Sequence, residues 1–361
     1  MSEETELLRD VVRDVLAAGA TPEATARAEQ AEGVPDLWRE IAALDWPLIG
    51  IATDDAHEPD AVEQLAVVLE AIGRHAALVP LAETGLARWI LGGTDVDLAA
   101  DAVLTVAPVR PSERLRMERR AGEVVLTGVA NRVPWAGQAG AIVAYADDGD
   151  RERAVLVRGG AAGLDIGAGR NLAAEPRDRV TFASVACPAS AVVEHAPSRP
   201  AAAARAALGR TAATVGALEA AYETTREHVR SRRQFDRPLV RLQIVGAHLA
   251  RMASDVALAR ASLASAVAAH AGAEDPAWAI AAAKVMSARA AGAVARRAHQ
   301  LHGAIGTTRE HTLQLWTRRL WAWRDEAGTE REWGARLGAD VSRGGSDALW
   351  HFVTRREERH G

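Results

Sequence analysis

Five arginines crowd one short stretch of this chain. Arg230, Arg232, Arg233, Arg237 and Arg241 surround a turn at Asp236, Arg237 and Pro238, between the end of one long helical pattern and the start of the next. A helix start presents free backbone N–H groups, and arginine presents a planar fork of donors, so the two together suit a phosphate. A solvated basic surface is the alternative, and these residues alone leave both open. A second stretch, AHQLHGAIG over residues 298–306, interrupts a helical pattern with small residues, and Gly303 permits close approach of backbone or ligand. His299 and His302 flank Gln300 and Leu301, but a metal would need further ligands nearby. A helix-end hydrogen bond is the simpler reading, and no metal is assigned.

Three blocks must position these residues. Leu7, Leu8, Val11, Val12, Val15 and Leu16 recur at helical spacing, and further helices are expected from Pro35, over 61–75 and over 80–91. After Ala102 the pattern changes to short β-branched runs such as EVVLTG and RVTFASVAC, which predict a small antiparallel sheet or barrel. From Ala201 the helical period returns, with helices expected near 201–231, 239–271, 276–301, 309–325 and from about 330. Their alanine-rich faces suit a four-helix bundle. The chain is therefore mainly α with a small β domain: a helical domain over 1–101, a β domain over 102–196 and a helical bundle over 197–361.

Composition narrows the function. A net charge of −5 does not invite nucleic acid or acidic membrane. The single cysteine, Cys187, excludes an internal disulfide and any cysteine-rich metal site, and reads as a small buried residue. Lys284 is the only lysine among many arginines, which points to coding bias. The start lacks an apolar signal core and nothing later reaches transmembrane length, so the cytoplasm is expected.

The two stretches together resemble the C-terminal helical domain of the acyl-CoA dehydrogenase family. The family's Arg-x-Gln-Phe-Gly turn, then Gln, then His, is matched by Arg232, Gln234, Phe235, Asp236, Gln243 and His248. Its glycine segment is matched by Gln300, Leu301, His302, Gly303, Ala304, Ile305 and Gly306. The resemblance is strongest over 205–329. It implies FAD as cofactor, an acyl-CoA thioester as substrate and an electron-transfer flavoprotein or similar acceptor. It also implies that Arg232, Gln234, Phe235, Gln243, Gln300 and Gly303 hold the ADP half of an FAD whose flavin lies mostly in a neighbouring subunit, with Leu301, His302, Ala304 and Thr329 as further cofactor-binding residues.

Other family features are altered. A family enzyme removes the substrate α-proton with a carboxylate, in most members a Glu just before a Gly-Thr pair. Here Asp325-Glu326-Ala327-Gly328-Thr329 places Ala327 at the base position, and Ala cannot accept a proton. Glu326, one residue away, would point about 100° elsewhere on a helix. The alternative base position of a minority of members falls near Ala206. The coenzyme A grip falls on Ala204, Arg205, Ala206 and Ala207, leaving Arg205 and Arg210 as possible phosphate partners. The flavin-ring segments read Thr105 to Glu113 and Asn131 to Gly137, with Trp135 as a possible stacking residue or a core one.

This division resembles α2β2 bacterial acyl-CoA dehydrogenases of the steroid type, in which one subunit has lost the base. It implies a chain without its own catalytic residue that completes the FAD site of a homologous catalytic partner in lipid degradation, with sterol side-chain thioesters among the substrates of the type. Two alternatives stand beside it. One is a self-sufficient flavoenzyme using Glu326 or another acid. The other is a flavin-poor binding or scaffold protein whose arginine cluster faces nucleic acid. Trp316, Trp321, Trp323 and Trp333 are expected in core or subunit packing, and Arg318 and Arg319 on the surface or in an interface charge pair.

Overall fold

The computed structural model describes residues 3–52, 58–92, 97–234, 236–271 and 275–354. Phe235 lies outside the described residues. Five helices come first: α1 (Glu3–Gly19), α2 (Pro22–Gln30), α3 (Asp36–Ala43), α4 (Glu58–Arg74) and α5 (Leu81–Leu91). The first buries Val12 and Leu16 completely and Leu8 and Val15 partly, whereas Leu7 and Val11 of the expected apolar set are 66% and 44% exposed. The second was not expected. Its sequence PEATARAEQ offers little apolar periodicity, but Thr21 Oγ accepts from Ala24 N and Pro22 opens the helix, the usual polar start signals.

Eight strands follow: β1 (Leu104–Ala107), β2 (Leu115–Arg120), β3 (Glu123–Pro134), β4 (Ala141–Asp147), β5 (Glu152–Arg158), β6 (Leu164–Gly167), β7 (Arg177–Pro188) and β8 (Val192–Val193). They make one sheet in the order β6-β7-β3-β2-β4-β5-β8, with β1 also on β4. The expectation of a purely antiparallel sheet is corrected, because β4 pairs in parallel with both β1 and β2. Alternation of side chains sets which face is buried but carries nothing about strand direction. Cys187 is buried in this domain.

The rest is helical: α6 (Arg199–Ser231), α7 (Gln243–Ala268), α8 (Ala277–His302), α9 (Leu313–Trp323) and α10 (Glu330–Thr354). A two-residue hairpin, β9 (Arg233–Gln234) with β10 (Arg237–Pro238), links α6 to α7. One core cluster runs from α1 through α4 into the bundle, so the two helical blocks share their interior. Close approach makes this seam. A Cβ on Gly73 would lie 1.8 Å from Ala213 O, and one on Gly216 would lie 1.9 Å from Glu70 O, so α4 and α6 cross backbone to backbone at paired glycines.

Candidate functional site

The arginine turn forms as its sequence requires. Arg232 ends α6, its N–H donating to His228 O at 2.9 Å, and Leu239 N returns to Arg232 O at 2.9 Å. Asp236, at the position of the family's glycine, takes a left-handed φ of 60°, a conformation that Asp tolerates better than most side chains. Beyond the turn α7 starts without a side-chain cap, so its first N–H groups are open to a ligand.

The glycine segment ends α8. Gly303 has φ 65° and ψ −144°, and a Cβ there would meet nothing within 4 Å, so glycine is needed for backbone conformation and leaves open space above it. The two segments meet at the helix ends. The His228 and His302 rings stack with centroids 4.2 Å apart and planes 20° off parallel.

Among the cofactor candidates, Arg232, Gln234, Gln243, Gln300, Gly303 and Ala304 are exposed. Leu301 and His302 point inward instead, at 8% and 6% exposure. Thr329 caps α10: its N and Oγ1 donate to Glu332 Oε2 at 2.8 and 3.0 Å, and Glu332 N donates back to Thr329 Oγ1 at 3.2 Å. This is a capping box, legible in the Thr-x-x-Glu spacing. His248 lies on α7, half-buried, with Nδ1 unpartnered among the described residues.

The place where the family keeps its catalytic carboxylate is built differently. Residues 324–329 are a turn and not a helix. Ala327 has a left-handed φ of 52°, and Trp333 Nε1 donates to its carbonyl at 2.8 Å. Glu326 therefore is not simply rotated by one helical step. Its carboxylate is driven into the protein, where Arg177 Nε donates to Oε1 at 2.9 Å and Arg177 Nη2 to Oε2 at 2.7 Å. Asn171 Nδ2 donates to Oε1 at 2.9 Å, and Arg210 Nη2 lies 3.4 Å from Oε2.

The lattice extends further. Arg177 also holds Glu175 at 2.8 Å, Glu175 accepts from Trp323 Nε1 at 2.9 Å, and Arg210 holds Glu83 at 2.9 Å. Members thus come from α5, from the β domain and from the bundle. Burial would raise the Glu326 carboxyl, but the Arg177 and Arg210 charges, with hydrogen bonds from Arg177 and Asn171, hold it well below the usual carboxylate range. A carboxylate so held is a poor base.

Little space remains. The cavity lined by Trp135, Glu175, Arg177, Arg210 and Trp323 measures about 20 Å³, room for a single water and no acyl chain. Trp135 is 2% exposed and belongs to the main core cluster. Arg205 and Arg210 are not free for phosphate. Arg205 is 8% exposed, lies over the Trp89 ring at 4.6 Å and donates to Gly50 O, while Arg210 is taken by Glu83. In the segments where the family holds the flavin ring, Asn131 Nδ2 donates to Glu113 Oε1 at 2.8 Å and Asn131 N donates to Glu113 Oε2 at 3.2 Å. Thr105 is buried. The exposed turn offers arginine and amide donors of the kind a phosphate accepts from, whereas in the interior Arg177 and Arg210 are already taken by Glu175, Glu83 and Glu326.

Other sequence readings are revised. Arg318 and Arg319 do not lie on an open surface. Arg319 is fully buried and pairs with Glu29 of α2 at 3.0 Å, with Arg318 on the same carboxylate. Trp316 donates from Nε1 to Arg74 O at 2.9 Å, and Trp323 and Trp333 are buried. The lone lysine also has a place: Lys284 Nζ donates to Trp323 O at 3.1 Å and Arg324 O at 2.9 Å, closing the end of α9. Burial, with the Arg210 charge beside it, pushes this ammonium down to about 7.

A helical block, a mixed sheet and a helical bundle, with an arginine–glutamine–glycine surface at the ends of α6 and α8, define an acyl-CoA dehydrogenase fold. Residues 201–331 match the family description "Acyl-CoA dehydrogenase, C-terminal domain". Acyl-CoA dehydrogenase IpdE2 of Mycolicibacterium smegmatis is 28% identical over 348 residues, covering 94% of this chain and 100% of that protein. Two solved structures align along nearly the whole length. The ChsE4–ChsE5 complex from Mycobacterium tuberculosis has TM-score 0.83 and 25% identity, covering 95% of this chain and 98% of that one. A Tcur3481–Tcur3483 steroid ACAD has TM-score 0.84 and 24% identity, with the same coverages of 95% and 98%. Residues 201–331 thus match the C-terminal domain of the acyl-CoA dehydrogenases, and the chain shares their fold along nearly its whole length.

Proposed function

We propose that this chain is the non-catalytic subunit of a heteromeric, FAD-dependent acyl-CoA dehydrogenase, completing the cofactor site of a homologous catalytic partner. The observation that carries this reading is the fate of Glu326. The acid nearest the base position is locked to Arg177, and the cavity lined by its partners Arg177 and Arg210 measures about 20 Å³. Glu326 held in this way is not available to take an α-proton, so the self-sufficient enzyme using Glu326 is disfavoured by the same geometry.

The exposed set supports the other half of the proposal. Arg232, Gln234, Gln243, Gln300 and Gly303 face outward beside the open start of α7, where they would bind the pyrophosphate and adenosine of a dinucleotide held mainly by the partner. The isoalloxazine and the α,β-oxidation it supports would belong to that partner. This chain's residues bind, orient and exclude water. Two similar proteins of known structure are two-component complexes by name, which supports a homologous partner, and one is called a steroid ACAD, which supports a bulky acyl-CoA. α7 leaves Ile244 and Leu258 63% and 52% exposed, apolar surface that suits a subunit contact.

The test is expression alone and together with a homologous chain that keeps the catalytic carboxylate. The proposal expects flavin and acyl-CoA oxidation only in the pair. Stoichiometric FAD and dehydrogenase activity in the lone chain would refute it.

A further inference from the structure

Three histidines distant in sequence converge where the helix ends meet. His228 lies in the last turn of α6, His302 ends α8, and His311 precedes α9. One potential ligand atom from each lies within 4.8 Å of the others. The His302 and His311 rings approach at 4.7 Å, edge to face, beside the His228–His302 stack. From these three side chains we propose a binding site for a divalent first-row transition cation, zinc or a close analogue.

His302 is the fixed member. It is 6% exposed, and its Nδ1 lies 2.8 Å from Ala298 O, which holds the proton on Nδ1 and leaves Nε2 as the lone-pair nitrogen. That Nε2 is buried and has no hydrogen-bond partner among the described residues. A buried polar atom left unpaired is costly, and a cation at this point would satisfy it. The backbone carbonyl behind the ring is the second partner that metal-bound imidazoles commonly have.

The other two rings are half-buried. A tetrahedral zinc with N ligands at about 2.0–2.1 Å holds its nitrogens about 3.3 Å apart, so nitrogens now up to 4.8 Å apart must close in by up to about 1.5 Å. His311 also needs a tautomer change. Leu313 N now donates to its Nδ1 at 3.0 Å. Binding through Nε2 places a proton on Nδ1 and releases this N–H, which belongs to the first turn of α9 and can be taken by water. The donor set is nitrogen only, which selects zinc, cobalt, nickel or copper over magnesium and calcium. Water would fill the fourth position.

The cation would clamp the ends of α6, α8 and α9 one turn away from Arg232, whose N–H already bonds His228 O. The site stands independently of the partner-subunit reading. Neither His299 nor His302 had further ligands within reach in sequence; the fold supplies two to His302.

The test uses full-length, untagged protein stripped with EDTA and titrated with zinc chloride by calorimetry, with cobalt absorption as a second readout. One zinc per chain is expected, with a dissociation constant tighter than about 10 μM and a tetrahedral cobalt spectrum. His228→Ala and His311→Ala should each weaken binding at least about tenfold, and His302→Ala more. His270→Ala should leave it unchanged. If His302→Ala fails to fold, the two half-buried positions still decide. Binding weaker than about 10 μM, or binding that survives in both His228→Ala and His311→Ala, would overturn the site.

Discussion

Arg177 Nη2 lies 2.7 Å from Glu326 Oε2 and also 2.8 Å from Glu175 Oε2, so one guanidinium bridges two carboxylates in the interior. Arg177 begins β7 and Glu326 follows α9, so the contact ties the sheet to the bundle. A buried pair of this kind does not itself add much stability, but removing one partner leaves the other unpaired at a penalty of about 3–5 kcal/mol. Glu326→Gln is therefore expected to lower the melting temperature of the assembled enzyme while the turnover per folded molecule stays the same. Lost turnover with an unchanged melting temperature would make Glu326 catalytic.

Acid stability follows from the same pair. The Glu326 carboxyl is held below its ordinary value of 4.5 in the folded state. The unfolded chain binds this proton first as pH falls, so the contribution is fully present above about pH 4.5 and is lost progressively below it. Acid unfolding monitored between pH 6 and pH 3 should show a shallower pH dependence in Glu326→Gln than in the parent protein. Identical slopes would mean that the pair carries no such linkage.

The helical seam gives a packing test. Gly216→Ala places a methyl 1.9 Å from Glu70 O, a backbone atom that cannot swing away. A loss of about 3 kcal/mol or more in denaturant unfolding is expected, at the upper end for overpacking. Gly246→Ala on α7, where a Cβ would meet nothing within 4 Å, should be neutral or slightly stabilising. Equal effects at the two positions would contradict the close α4–α6 crossing.

Much of the fold was legible because it rests on local periodicity. Val12 and Leu16 mark the inner face of α1, and the alanine-rich repeat after Ala201 marks the bundle. What escaped was non-local. Nothing near Arg319 announces that Glu29 lies beneath it, since the pair closes across 290 residues. Parallel pairing of β4 with β1 and β2 leaves no mark in alternation. Of the candidate site, the open turn at Arg232 and the strained Gly303 were readable from residue type. The closure around Glu326 was not, because its partners Asn171 and Arg177 come from another domain. The helical rotation argument for Glu326 failed for a local reason: Ala327 and Gly328 both have positive φ, so no helix exists there to rotate about.

The exposed arginine gives the most direct test of a role in trans. Arg232→Ala in this chain, assembled with an unaltered homologous partner, should yield a complex of normal size whose flavin content falls several-fold and recovers on added FAD, since a lost phosphate contact weakens binding without removing the ring site. Full flavin occupancy and unchanged FAD affinity in that complex would contradict the claim that this polypeptide helps hold its neighbour's cofactor.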